Sequence, residues 1–280
     1  MIPDYDFTVG NTITIAVAIY RNNLKKFLKL SLAAHLWLLI PVYGWARYFA
    51  IAAWISKLSF DELTNEINNP NKKQYFSIHS LFLFFVSGLI SIIIPVILSY
   101  LLTVVVFLFV EAVKETIVVI FSFSEYDIFD PSNTSYPLIA LIISSIFFLF
   151  SSWFYAKLFV SDLIFIDSEK RQIFYLFNQS RKLIKNSQVK TFKTILLSLV
   201  VSLPVWTVGF LIYICLVAIT TIISTIISID TISTNKDLVI SSCLLAGLFC
   251  AHGLLFPFWQ SVKATTFYQL TALERKYNLR

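Results

Sequence analysis

The chain has 280 residues, 58% of them hydrophobic and only 14% charged, with a mean hydropathy of +0.78. That leaves too little polar surface to coat a water-soluble globule of this size, so lipid must solvate part of it. The net charge of +6 and pI near 9.1 come with no Gly-Arg pattern and no recognisable nucleic-acid-binding module; the basic residues sit beside apolar stretches, which argues against nucleic acid and for a basic membrane face.

The start, MIPDYDFTVG, is acidic and lacks the positive n-region of a removable signal peptide. Over residues 11–28, Ile13, Ala16, Val17, Tyr20, Leu24 and Phe27 share one side, and Asn11, Thr14, Arg21 and Lys25 the other. This spacing predicts an amphipathic helix lying in the headgroup plane. A first span over residues 24–40 is short, about 26 Å at ~1.5 Å per residue against a hydrocarbon layer of ~30 Å. Pro41 and Gly44, surrounded by Trp37, Tyr43, Trp45 and Tyr48, mark a tight interfacial turn, and a second span returns over residues 47–58. The pair is either a full transmembrane hairpin or a re-entrant one. Residues 59–77 read as a surface connection.

Residues 81–110 are too long for one crossing and too short for two, and predict one helix kinked at Pro95. Residues 111–137 form an acidic loop, and a fourth span covers 138–160. An elbow follows, with a second amphipathic helix predicted over 169–184. The fifth span, 194–227, is overlong and interrupted by Pro204, and the sixth, 238–262, exits into a polar helical tail over 263–280. The three cysteines, Cys215, Cys243 and Cys250, fall in apolar stretches without a CxxC pair and read as small buried hydrophobes.

The expected fold is therefore an all-α polytopic bundle of about six transmembrane helices with interfacial amphipathic helices. It forms one domain over residues 1–280, including an N-terminal amphipathic segment (1–28), a basic elbow (168–190) and a cytoplasmic tail (263–280). Of the 22 Lys and Arg, all but Arg47, Lys114 and Lys236 fall on one side of this topology. That bias puts both termini in the cytoplasm, in a bacterial inner membrane or an internal membrane such as a thylakoid.

Little in the sequence points to chemistry. The three histidines lie in three different segments, with no HExxH and no cluster at metal-ligand spacing, and there is no GxSxG, P-loop or GxGxxG. No catalytic residue, metal or cofactor is expected. Ionisable groups in or near spans are the remaining candidates, because charge in a bilayer is costly: His35, Arg47, Asp162 and His252. Arg47 reads as snorkelling to outer headgroups, Asp162 as part of an interfacial ion pair with Lys157 and Asp167, and the two histidines as buried and hydrogen-bonded. An intramembrane enzyme would need two or more of the four to converge. The elbow carries Arg181, Lys182, Lys185, Lys190 and Lys193, each worth about 1 kcal/mol beside an anionic leaflet, and so a contact for acidic lipid headgroups or a protein partner.

The stretch YAKLFVSDLIFIDSEKRQIFYLFNQSRKLIKNSQVKTF, residues 155–192, resembles the elbow of the membrane domain attached to some glycerophosphoryl diester phosphodiesterases and found alone in bacterial integral membrane proteins of unassigned function. Ser180 and Leu183 match its helix; the small residue is replaced, and so is the Gly near Asn186. The tail ATTFYQLTALE and the opening TVGNTI…YRNNLKKFL are similar to that family's ends. The resemblance implies a membrane fold without the soluble phosphodiesterase barrel. The expectation is a non-enzymatic scaffold, assembly or lipid-interacting factor that meets anionic lipids, a membrane-protein partner or its own copies. The alternative is a transporter or channel for a small or lipid-like solute.

Overall fold

The computed structural model describes residues 8–64, 76–91, 97, 145, 148–167, 173–227 and 236–278. Among them every regular element is helical: α1 (Val9–Asn22), α2 (Leu24–Trp37), α3 (Tyr43–Thr64), α4 (Ile78–Ser91), α5 (148–156), α6 (Ser161–Asp167), α7 (Ile173–Ile184), α8 (Gln188–Ile227) and α9 (Lys236–Asn278). Three stretches are long and apolar enough to cross a membrane: Phe148–Phe165, Ile173–Ile222 and Val239–Arg275. The expected acidic loop and the kink at Pro95 lie outside the described residues.

The amphipathic start is two helices. α1 opens on Thr8, whose hydroxyl accepts from the Asn11 amide, and buries Thr12, Ile13, Ala16 and Ile19. It breaks at Asn23, whose side-chain amide donates to Ile19 O and to Glu62 at the end of α3. α2 then buries Phe27, Ser31, Ala34 and His35 and ends at the aromatic turn.

That turn is where the sequence places it. The amide of Tyr43 donates to Pro41 O at 2.7 Å, and the amide of Gly44 to Ile40 O at 3.1 Å. Val42 adopts φ 59°, a left-handed conformation that disfavours a β-branched side chain. Gly44 is required for a different reason: a Cβ there would lie 1.8 Å from the Trp37 carbonyl oxygen.

α9 is the element on which the others are assembled. It packs against α1, α2, α3, α7 and α8. The first two turns of the expected tail, residues 263–270, are among its most deeply packed. Val262, Ala264, Phe267 and Leu270 lie in one core cluster with Ile13 and Ala16 of α1, Phe159 and Leu163, and Ile195 of α8. Helix periodicity continues through the polar letters because Ser261, Thr265 and Thr266 return their hydroxyls to carbonyls four residues back, so they can be buried without losing a hydrogen bond.

α8 crosses α9 where both are small. A Cβ on Gly247 would sit 2.5 Å from Gly209 O, and one on Gly209 would sit 2.6 Å from Ala251 Cβ. Backbones approach this closely only through such residues, the packing expected of helices in lipid. The opposite side of α8 exposes Val200, Leu203, Phe210 and Leu211. Cys215 and Cys250 are exposed as well, and only Cys243 is buried. The expectation of three buried cysteines fails because an apolar helix with an unpartnered outer face has no core on that side.

Candidate functional site

Two prolines interrupt the long helices, Pro204 in α8 and Pro257 in α9. Pro257 was not singled out from the sequence, yet the site is organised around it. A proline has no N–H to give the carbonyl four residues back, here that of Gly253. Ser31 of α2 supplies the donor: its hydroxyl reaches Gly253 O at 2.5 Å. One residue on, the Tyr20 hydroxyl donates to Leu254 O at 3.0 Å, and burial pushes that phenol's pKa up, which keeps it a donor. Further along α9, Ser56 donates to Gln260 Oε1 at 2.8 Å, Ser59 and Ser261 share a bond at 3.1 Å, and Thr12 donates to Gln269 Oε1 at 2.5 Å. A ladder of hydroxyls from α1, α2 and α3 thus fixes the rotation of α9.

With α9 so held, His252, Phe256, Trp259, Gln260 and Lys263 border a cavity of about 330 Å³. Steps of four, three or four, and three or four residues put these side chains on one helical stripe. Tyr48, Phe49 and Ala52 of α3, Phe84, Ser87 and Gly88 of α4, Tyr155 and Leu158, Asp162 of α6, and Leu199 and Trp206 of α8 complete the wall. The wall is largely aromatic, and along the α9 stripe Lys263 stands at one end and His252 at the other. It is also tight: a Cβ on Gly88 would meet the Phe49 ring at 2.5 Å.

At one end Lys263 Nζ donates to Asp162 Oδ2 at 2.9 Å, and both side chains are largely buried. Asp162 Oδ1 accepts from the Leu163 amide at 3.1 Å, so the carboxylate is held at the start of α6. The ammonium also lies 5.9 Å from the Phe159 ring centre. An ammonium has three donors and Asp162 takes one, so Lys263 can offer others to an oxygen in the cavity.

At the other end, His35 Nε2 and His252 Nδ1 are 2.8 Å apart, and His35 Nδ1 lies 2.7 Å from Ser31 O. Tyr48, Phe249 and Phe256 meet the His35 ring edge to face.

The four intramembrane candidates therefore divide three to one. His252 and Asp162 border the same cavity, and His35 backs His252; of the two histidines expected to be buried, His35 is, and His252 is exposed, because it sits where the α9 stripe opens outward. Arg47 is elsewhere: its guanidinium stacks on Trp37, Tyr43 and Phe76 and donates to the Tyr43 hydroxyl at 2.6 and 3.0 Å. The partner expected for Asp162 is corrected. Lys157 sits over the Phe154 ring, and the ion pair is made by Lys263, a residue the sequence reading leaves in the tail.

On the elbow, α7 turns Leu176, Ser180 and Ile184 inward, with Ser180 donating to Lys157 O at 2.9 Å. Arg181, Lys182, Lys185, Lys190 and Lys193 are all exposed. Among the described residues no group of three or more His, Cys, Asp or Glu is placed to hold a metal.

No protein family, curated protein or solved structure compared with the chain matches it.

Proposed function

We propose that this is an integral membrane protein that holds a lipid-like amphiphile in the cavity beside α9, with an oxygen of its polar group on Lys263 and its apolar part along the aromatic wall. The observation that carries this reading is the buried Lys263–Asp162 pair bordering a mostly apolar cavity. Desolvating two charges can cost more than their attraction returns, so a buried pair is poorly explained by stability alone. Concave, mostly apolar walls with a few fixed polar groups are the usual form of a small-molecule site. The pair is neutral overall, so the acceptor can be an ester carbonyl, a carboxylate or a phosphate oxygen.

The topology proposed with it is six crossings, with α2 and α3 as the short first pair, both termini cytoplasmic, and the elbow lysines and arginines on anionic headgroups of a bacterial inner membrane or a related internal membrane. The resemblance to the membrane domain of the phosphodiesterase fusions is consistent with that arrangement. The role is non-enzymatic: presenting or sequestering a lipid, alone or for a membrane-protein partner. Transport of the same amphiphile is the second reading, favoured by Pro204 and Pro257, which sit beside the lining residues Trp206 and Phe256 in the two longest helices.

The test is lipid analysis of protein purified in native-membrane nanodiscs. One lipid class should be enriched over the surrounding bilayer and lost from the K263M/D162N variant and from Gly88→Val, whose side chain would clash with the Phe49 ring in the cavity wall. Identical lipid composition in all three samples would refute the reading.

A further inference from the structure

The histidine pair fixes which hydrogen-bonding group the cavity can recognise at its far end. Ser31 O is a carbonyl and can only accept, so His35 Nδ1, 2.7 Å away, carries a proton. In the neutral ring His35 Nε2 is then an acceptor, and the contact with His252 Nδ1 at 2.8 Å requires the proton to be on His252. The second neutral ring follows the same rule: His252 Nε2 is left as an acceptor with no partner among the described residues, on an exposed ring that borders the cavity. The Ser31 hydroxyl cannot reverse this order, because it donates to Gly253 O. A carbonyl at one end therefore sets the polarity of the whole chain, from Ser31 through His35 to His252.

We propose that His252 Nε2 is the second anchor of the bound amphiphile and accepts a hydrogen bond from a hydroxyl on its chain. This rests on the cavity reading above. The two anchors differ in kind, Lys263 donating to an oxygen acceptor and His252 accepting from a donor, so the ligand class carries an acidic or ester group and a separate hydroxyl. Their separation selects the position of that hydroxyl. Eleven residues along α9 is about three turns and ~16 Å between the two backbone positions, a reach that takes about a dozen carbon–carbon bonds at tetrahedral geometry. A mid-chain hydroxy acyl group fits both anchors, whereas a hydroxyl next to the head group reaches only Lys263.

The experiment uses the full chain in nanodiscs. With the other four tryptophans, Trp37, Trp45, Trp54 and Trp153, replaced by Phe, fluorescence of the cavity tryptophans Trp206 and Trp259 is quenched with dibromostearate, and the quencher is displaced by ricinoleate or by oleate, which differ in one mid-chain hydroxyl. Ricinoleate should displace at about threefold to tenfold lower concentration, the span of one net hydrogen bond. His252→Phe should erase that preference without weakening oleate. His252→Gln, which keeps an acceptor oxygen, should retain part of it, and K263M/D162N should weaken both acids alike. Equal displacement by the two acids in the wild type would overturn the hydroxyl anchor while leaving the cavity reading intact. Quenching that neither acid reverses would remove both. If His252→Phe does not fold, His252→Leu takes its place, and an undiminished ricinoleate preference in that variant would equally contradict the proposal.

Discussion

Ser31→Ala should destabilise the protein only as long as Pro257 is present. The Ser31 hydroxyl is fully buried and reaches Gly253 O at 2.5 Å, the carbonyl that Pro257 leaves without a helical donor. Removing the hydroxyl strands a buried acceptor, which costs about 1–3 kcal/mol. Pro257→Ala restores an N–H four residues on from Gly253, and the carbonyl can then be satisfied within α9. In that background Ser31→Ala should cost no more than about 0.5 kcal/mol, so the coupling between the two positions is roughly 1–2 kcal/mol. The assay is equilibrium unfolding of the four proteins in mixed micelles, read by tryptophan fluorescence. Equal Ser31→Ala penalties in both backgrounds would refute the reasoning, since Ser31 would then contribute packing alone.

Gly247→Val should cost about 1–3 kcal/mol, because its side chain would overlap Gly209 O and separate α8 from α9; a lowered unfolding midpoint is the check, and an unchanged one counts against the close crossing. Lys263→Met alone should cost about 3–5 kcal/mol by leaving the Asp162 carboxylate uncompensated, and adding Asp162→Asn should recover most of it. The same unfolding assay decides, and a double variant no more stable than the single would show that the stranded carboxylate is not the cause of the loss. Replacing Arg181, Lys182 and Lys185 together with Ala should remove about 3 kcal/mol of anionic-lipid attraction, seen as loss of acidic lipids retained in native mass spectrometry. Unchanged retention would free the elbow from that role.

Local features were legible in the sequence where one stretch decides them. Pro41 and Gly44 announce the turn because their backbone demands are local, and the apolar side of residues 173–184 is readable from period alone. The site is not local. His35 and His252 are 217 residues apart and Asp162 and Lys263 are 101 apart, so neither pairing is visible before the helices are packed. Lys263 was hidden for a further reason: polar residues after Val262 look like a tail exit, although serine and threonine that bond back to their own helix are compatible with a core. The signal that could have revealed it is the stripe from His252 through Phe256 and Gln260 to Lys263, which keeps helical register across the expected end of the span.

The central claim, an amphiphile held beside α9, is tested most directly by photo-crosslinking from inside the cavity. Benzoylphenylalanine at Trp206, which borders the cavity, would be activated in intact membranes and the adducts identified by mass spectrometry. The account predicts one predominant lipid adduct, suppressed by Gly88→Val. Adducts that mirror bulk lipid and ignore Gly88→Val, or adducts to protein alone, would contradict it.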